Sequence, residues 1–561
     1  MKERYLNLME RALSAYSNEH IQAYFERVEA EGLTEHGFPR ITANIGILIA
    51  HGRRTDLLPM LPKMMDLCCR MFLRPYVKAA NEFSVREICC CIRELEEARA
   101  VPAEMIAQWK AEISRIVPAE CYNSYEKSLA NKTRNWAIFM CVSELFRHNM
   151  GLCNAEFLYD DHLRYQMQWI DENGMYMDKK GSVYHHPMVY DLVSRGLFCL
   201  LLHFGYRGAY YEEIDRALER AGLLTLKMQS TTGEIPFGGR SNQFLHNEPW
   251  LATVFEYEAL RYARRGDCAL ATRFKAAAKK AIDTCEAFLS RSPIRHVKND
   301  FPTETGYGCE DYAYFDKYMI TVASFLYTAY LLCDDSIEAD GQADADAESF
   351  ATSPYFHKIF LRAGDYCAEL DLNADEDYDA SGLGRIQRRE APSAICLSAP
   401  CPAHPVYRVS DSATPALSIC PGTMVDGEWH FATSADAHYE LQKLSHTKDT
   451  ATATVACTHA NGEQHKVCYR VDESGIEITQ CGNGAISHLL PAFLFDGTSH
   501  TEIQADANVL TVCYKGWCYR AETNGKIEKL SRLAQNRNGH YQSYLASGME
   551  RLTVKITLER L

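Results

Sequence analysis

The spacing of apolar residues changes once along the chain, and that change limits the folds open to it. Through the first two-thirds, to about Cys367, the spacing is helical. Val189, Leu192, Val193, Leu197, Leu200, Leu201 and Phe204 recur at i, i+3, i+4 and i+8, a stripe that a helix turns toward one core. The same spacing predicts helices near 5–29, 57–73, 84–98, 103–116, 135–147, 211–227, 249–265, 269–289 and 316–333. From Gly382 onward the period is two, as in Thr-Ala-Thr-Ala-Thr-Val-Ala-Cys-Thr at 450–458. Further alternating runs at 465–471, 475–480, 509–514, 517–521 and 552–558 are broken by Asn461-Gly462, Asp496-Gly497 and Asn524-Gly525, the composition of strand turns. The expected architecture is multidomain, α then β. An N-terminal (α/α)6-type toroid at 1–375 would carry the catalytic cleft, and a C-terminal antiparallel β-sandwich would occupy 376–561. The acidic stretch at 334–348 reads as a solvated loop.

Composition removes several functions. With 59 Lys and Arg against 74 Asp and Glu, the 561-residue chain has a net charge of −15, which disfavours nucleic acid as a partner. The opening residues Met-Lys-Glu-Arg-Tyr-Leu-Asn-Leu lack the apolar core of a secretion signal, so a cytoplasmic location is expected. The longest apolar runs, such as 45–50, fall far short of the ~20 residues that span a bilayer. The 22 cysteines include adjacent groups at 68–69 and 89–91 and no C-x-x-C, which suits reduced, buried thiols. No Walker A, G-x-G-x-x-G or G-x-S-x-G motif occurs. The adjacent pair His185-His186 has no H-x-x-x-H companion, so neither cofactor nor metal is expected.

Five segments hold more polar and aromatic side chains than helix packing needs: 133–136, 184–191, 232–250, 294–299 and 306–318. In the third, Asn247 can cap the following helix, which would bring His246 and Glu248 to a helix N-terminus where anions are favoured. Glu248 and Asn247 could equally be capping residues only. Glu310 and Asp311 lie in a tyrosine-rich loop. Rings that stack on sugar faces, beside carboxylates, suit a carbohydrate site, and a buried tyrosine cluster is the plainer alternative. Arg295, His296 and Lys298 form either a solvated basic loop or a clamp for a substrate carboxylate.

The runs at 233–248 (GEIPFGGRSNQFLHNE), 295–299 (RHVKN) and 308–318 (GCEDYAYFDKY) resemble family 154 of the glycoside hydrolases, exo-acting β-glucuronidases with a helical toroid and a β-sandwich. The resemblance implies removal of terminal β-linked glucuronic acid from a uronic-acid-containing oligosaccharide. Residue type and position then suggest Glu248 and Glu310 as the catalytic carboxylates, with Glu234 and Asp311 in reserve and His246 beside them. Arg240, Arg295 and Lys298 would hold the uronate. Asn242, His296, Tyr312, Tyr314, Trp250 and His186 would complete the binding surface. The alternative is a lyase, in which an Asn (Asn242 or Asn247) neutralises the uronate carboxylate and His246, Tyr312 or Tyr314 is the base. An epimerase or a glycan-binding protein stands behind both. A homodimer is also possible for this architecture.

Overall fold

The computed structural model describes residues 1–75, 80–178, 188–339, 346–413, 416–433 and 437–561, without the side chains of 157 and 158. Six of its helices close into a ring. The inner helices are, in order, Gly37–Ala50, Val85–Ala98, Asn135–Asn149, Met188–His203, Asn247–Arg264 and Phe315–Leu332. Each packs on the next, and the sixth returns to the first. Outer helices lie against them: Lys2–Leu13 on the sixth, Leu61–Phe72 on the first, Glu156–Met167 on the third and Cys268–Leu289 on the fifth. One continuous apolar core joins the two layers, the expected toroid.

The first inner helix is absent from the predicted set for a physical reason. Every residue from Gly37 to Ile49 is buried, polar Arg40, Thr42 and Asn44 included, so the segment lacks the one-sided stripe that betrays a surface helix. The helix expected over 5–29 is two helices, Lys2–Leu13 and Asn18–Glu31. They are divided at Ser17, whose hydroxyl accepts the His20 N–H and caps the second.

The change from helix to strand comes ahead of the expected 375/376 boundary. The last inner helix ends at Leu332, and Glu348–Ala351, Lys358–Ala363 and Tyr366–Asp371 are already strands. With Gly382–Arg388 they form a four-stranded antiparallel sheet. The Tyr366–Asp371 strand is buried along its whole length, which removes the in-out alternation by which a strand is recognised. The second sheet has eleven strands, centred on two 21-residue strands, Gly475–Phe495 and His540–Arg560, that pair antiparallel with Ile478 opposite Val554. Ile359, Leu361 and Leu370 of the small sheet share one core with Val455, Val467 and Tyr469 of the large one, so the β half is a sandwich.

The sandwich reaches the mouth of the toroid. Arg385 donates to the Ile235 carbonyl at 2.7 Å, and the Gly239 N–H donates to Asp379 Oδ2 at 2.6 Å. These bonds pin the loop ahead of the fifth inner helix. Gly238 and Gly239 both have positive φ there, a turn that side chains with a Cβ seldom adopt. Among the described residues no helix is long and apolar enough to cross a membrane.

Candidate active site

All six inner helices begin at the same end of the ring, and their first residues surround a cavity of ≈ 240 Å³. Glu35, His36 and Arg40 come from the start of the first inner helix and Phe83 from just before the second. Asn135 and Trp136 open the third, and Tyr190 lies in the first turn of the fourth. Arg240, Ser241 and His246 precede the fifth, and Tyr312, Lys317 and Tyr318 surround the start of the sixth. Each helix N-terminus carries unsatisfied N–H groups and partial positive charge. Six of them around one cavity, with Arg40, Arg240 and Lys317 in its wall, make a place for an anion.

The polar groups are held in definite positions. The Ser241 hydroxyl bonds the Tyr312 hydroxyl at 2.5 Å and the Tyr190 hydroxyl at 3.2 Å. The Arg240 guanidinium lies 4.8 Å above the Tyr190 ring and 5.8 Å from that of Tyr312. Burial drives the Tyr312 hydroxyl well above the usual tyrosine range; Tyr190, Glu310 and Tyr318 add to this and Arg240 opposes it, so Tyr312 stays a proton donor. His246 stacks on Phe244 at 5.6 Å and meets Tyr318 at the same distance. Burial first, then the charges of Arg40, His296 and Lys298, bring His246 down to about 3, leaving a neutral imidazole. Asn135 Nδ2 gives one proton to Asp178 at 3.1 Å. Arg40 is anchored by Glu87 at 3.1 Å and Thr321 at 2.9 Å.

Among the described residues Glu35 is the only carboxylate lining the cavity. Its oxygens accept from the Tyr24 hydroxyl and the Gly37 N–H, and burial pushes it up to about 7 against the charges of Lys317 and Arg40.

The expected carboxylate pair lies elsewhere. Glu248 is fully buried behind the cavity and accepts from Lys298 at 2.6 Å, with Glu234 3.6 Å from the same ammonium. Glu234 also accepts from Gln387 of the small sheet. Burial raises Glu234, yet the cations Lys298 and Arg385 outweigh it and hold this carboxylate below its ordinary value. Glu310 is tied to Arg537 at 3.1 Å and to the Ser241 N–H at 2.8 Å, and Asp311 points to solvent. The reason is chain direction. A residue in the first turn of an inner helix can face the cavity or the neighbouring elements, and Glu248 faces Lys298.

The three expected clamp cations are likewise separated. Of the three expected cations only Arg240 lines the cavity. Lys298 is consumed by the two glutamates, and Arg295 donates to the carbonyls of Phe301 and Pro293. His296 bonds the Ala313 carbonyl at 2.9 Å and the Cys309 sulfur at 3.2 Å, away from the cavity. Trp250 is core, 4.4 Å from Phe325. Asn242 and Asn247 are buried outside the cavity wall, and Asn247 bonds the Ser241 carbonyl at 3.2 Å. Tyr314 is 46% exposed and borders a neighbouring depression. His186 lies outside the described residues. His246, Arg240 and Tyr312 are the expected residues brought together.

Asn135 and Tyr190 fall in segments singled out by their polarity, though neither was among the expected site residues. Glu35, His36 and Arg40 left no such mark, because their run passes directly into an apolar helix. Among the described residues no group of three or more His, Cys, Asp and Glu is arranged to hold a metal ion.

No family model and no curated protein matches the chain. Among solved structures it is similar to a heparinase III gene product, with a TM-score of 0.47 and 9% identity over 93% of this chain and 78% of that one. A heparan sulfate lyase HepC mutant from Pedobacter heparinus gives a TM-score of 0.45 and 8% identity, over 93% and 76% of the two chains. A chondroitin lyase of a baculovirus envelope gives 0.21 and 9%, over 69% and 79%. At these scores none of them bears on the chemistry of this cavity.

Proposed function

We propose that the protein is a lyase acting on uronic-acid-containing oligosaccharides by β-elimination, in place of the glucuronidase implied by the resemblance. One observation carries this reading: the cavity at the six helix N-termini holds His, Tyr, Arg and Asn, while Glu248, Glu234 and Glu310 lie in ion pairs outside it. Canonical glycoside hydrolysis needs two carboxylates flanking the bond. Elimination needs a cationic or hydrogen-bonding partner for the uronate carboxylate, a base for the C5 proton and a donor for the leaving oxygen.

In this reading Arg240 and Asn135 take the carboxylate and stabilise the charge that builds on it as C5 loses its proton. Neutral His246 accepts that proton. The C5–H electrons form the C4–C5 double bond, the C4–O bond breaks, and the Tyr312–Ser241–Tyr190 hydroxyls return a proton to the leaving oxygen. Arg40, Lys317 and the helix termini supply a positive field without entering the bond changes.

One observation favours hydrolysis as a second reading. Glu35, at about 7, has the proton affinity of a general acid at neutral pH. The experiment is incubation with uronate-containing oligosaccharides, reading the ultraviolet absorbance of the 4,5-unsaturated product, beside 4-nitrophenyl β-D-glucuronide, which has no leaving group at C4. Elimination gives the ultraviolet band and no nitrophenol. Nitrophenol release that disappears in Glu35→Gln would replace the lyase with a hydrolase.

A further inference from the structure

Behind the Ser241 hydroxyl runs a chain of contacts that begins in the other domain. Arg537 lies in the 536–539 turn of the sandwich, between its two last strands, and is 2% exposed. Its Nη2 donates to Glu310 Oε1 at 3.1 Å, its Nε to the Gly308 carbonyl at 3.2 Å, and its guanidinium lies 4.1 Å above the Tyr407 ring. The same Glu310 oxygen accepts the Ser241 N–H at 2.8 Å. Ser241 has φ of +62°, a left-handed conformation that a residue with a Cβ keeps only when its surroundings hold it there. The two holding bonds are that N–H to Glu310 and the Asn247 side-chain N–H to the Ser241 carbonyl. The Ser241 hydroxyl then sits between Tyr312 and Tyr190.

We propose that Arg537 is a positioning residue of the cavity: by fixing Glu310 it fixes Ser241, and through Ser241 the two tyrosine hydroxyls. A buried carboxylate is stable only while it is paired. Without Arg537, Glu310 loses the guanidinium that holds it in place, and the Ser241 N–H loses a fixed acceptor. The sandwich is therefore part of the site although none of its side chains lines the cavity among the described residues. The kinetic part of this inference rests on the elimination reading; the placement of the hydroxyls does not.

The test uses the full chain with Arg537→Met, Arg537→Lys and Glu310→Gln. Tyr366→Phe, which removes two hydrogen bonds to the Leu558 backbone inside the sandwich, is the control for general destabilisation. On a uronate oligosaccharide, Arg537→Met is expected to lower kcat by roughly 10- to 100-fold with KM little changed, because Arg240 and Arg40 are untouched. Arg537→Lys, whose ammonium reaches one of the two acceptors, recovers part of the loss. The second readout needs no turnover. With 3-fluorotyrosine at position 312, the fluorine resonance should move in Arg537→Met and Glu310→Gln and stay put in Tyr366→Phe. An Arg537→Met protein with wild-type kcat and an unmoved resonance overturns the proposal. If the wild type turns over no uronate, the elimination reading fails and the fluorine shift alone decides for or against Arg537.

Discussion

At the scale of single residues, charge and burial separate the side chains that hold the fold from those that face the cavity. Glu248 has the look of a catalytic acid, since burial raises its carboxyl, but its charge partner Lys298 sits 2.6 Å away and is itself enclosed. Glu248→Gln is expected to cost about 1.5–3 kcal/mol of stability, the worth of a hydrogen bond to a charged group, and to leave kcat/KM near the wild type. Denaturant midpoints beside steady-state rates check this, and a folded but inactive variant would return Glu248 to the chemistry. The opposite result is expected at the cavity. Tyr312→Phe and His246→Ala should each lower turnover by about 10²–10⁴-fold, the range for removal of a general acid or base, with circular dichroism unchanged. The segments 232–250 and 306–318 stood out by their residue types, and residues of both line the cavity. The roles inside them were not, because the direction in which Glu248 points depends on a lysine fifty positions further along the chain.

At the scale of elements, the site is a property of the ring. Six helices that start at one end bring six short stretches of the chain together, and periodicity marked five of the six. The sixth to be found, Gly37–Ala50, was hidden by the burial that its inner position demands. Close approach between inner helices also explains why small residues lie in their faces. A Cβ added at Gly196 of the fourth inner helix would run into the Trp250 ring of the fifth. Gly196→Ala is therefore expected to destabilise the toroid by about 1–3 kcal/mol, the usual cost of overpacking. Trp250→Phe in the same chain should return part of that loss, because it clears the space the new methyl needs. Thermal unfolding of the two single variants and the double variant gives the coupling. Strict additivity would show that the two helices do not meet where the glycine lies.

At the scale of the whole molecule, the two halves should answer acid differently. In the toroid, buried groups oppose one another. Burial holds His162 and His203 down at about 4, while it pushes Glu82 up to about 7 and Glu258 up to about 8. Raised carboxylates favour the fold at low pH and lose that contribution as pH rises through their folded values; depressed histidines favour it above the unfolded value near 6.5 and lose it as pH falls. In the large sheet the named shifts run one way. Burial takes His459 down to about 4 and His488 down to about 3, and lowers His465 as well. Asp496, though burial raises it, is held well below the usual carboxylate range by the Ser499 and Thr498 N–H groups. A base depressed on folding and an acid depressed on folding both bind more protons when unfolded, so each weakens the sheet as pH falls. Hydrogen exchange followed from pH 7 to about pH 4, the window these shifts set, should therefore show the Gly475–Phe495 and Gln464–Asp472 strands opening before the inner helices. His488 is fully buried. His488→Leu should move the opening of the sheet to lower pH. Helices that exchange first, or a midpoint indifferent to His488, would show that these depressed groups do not set the order in which acid opens the two halves.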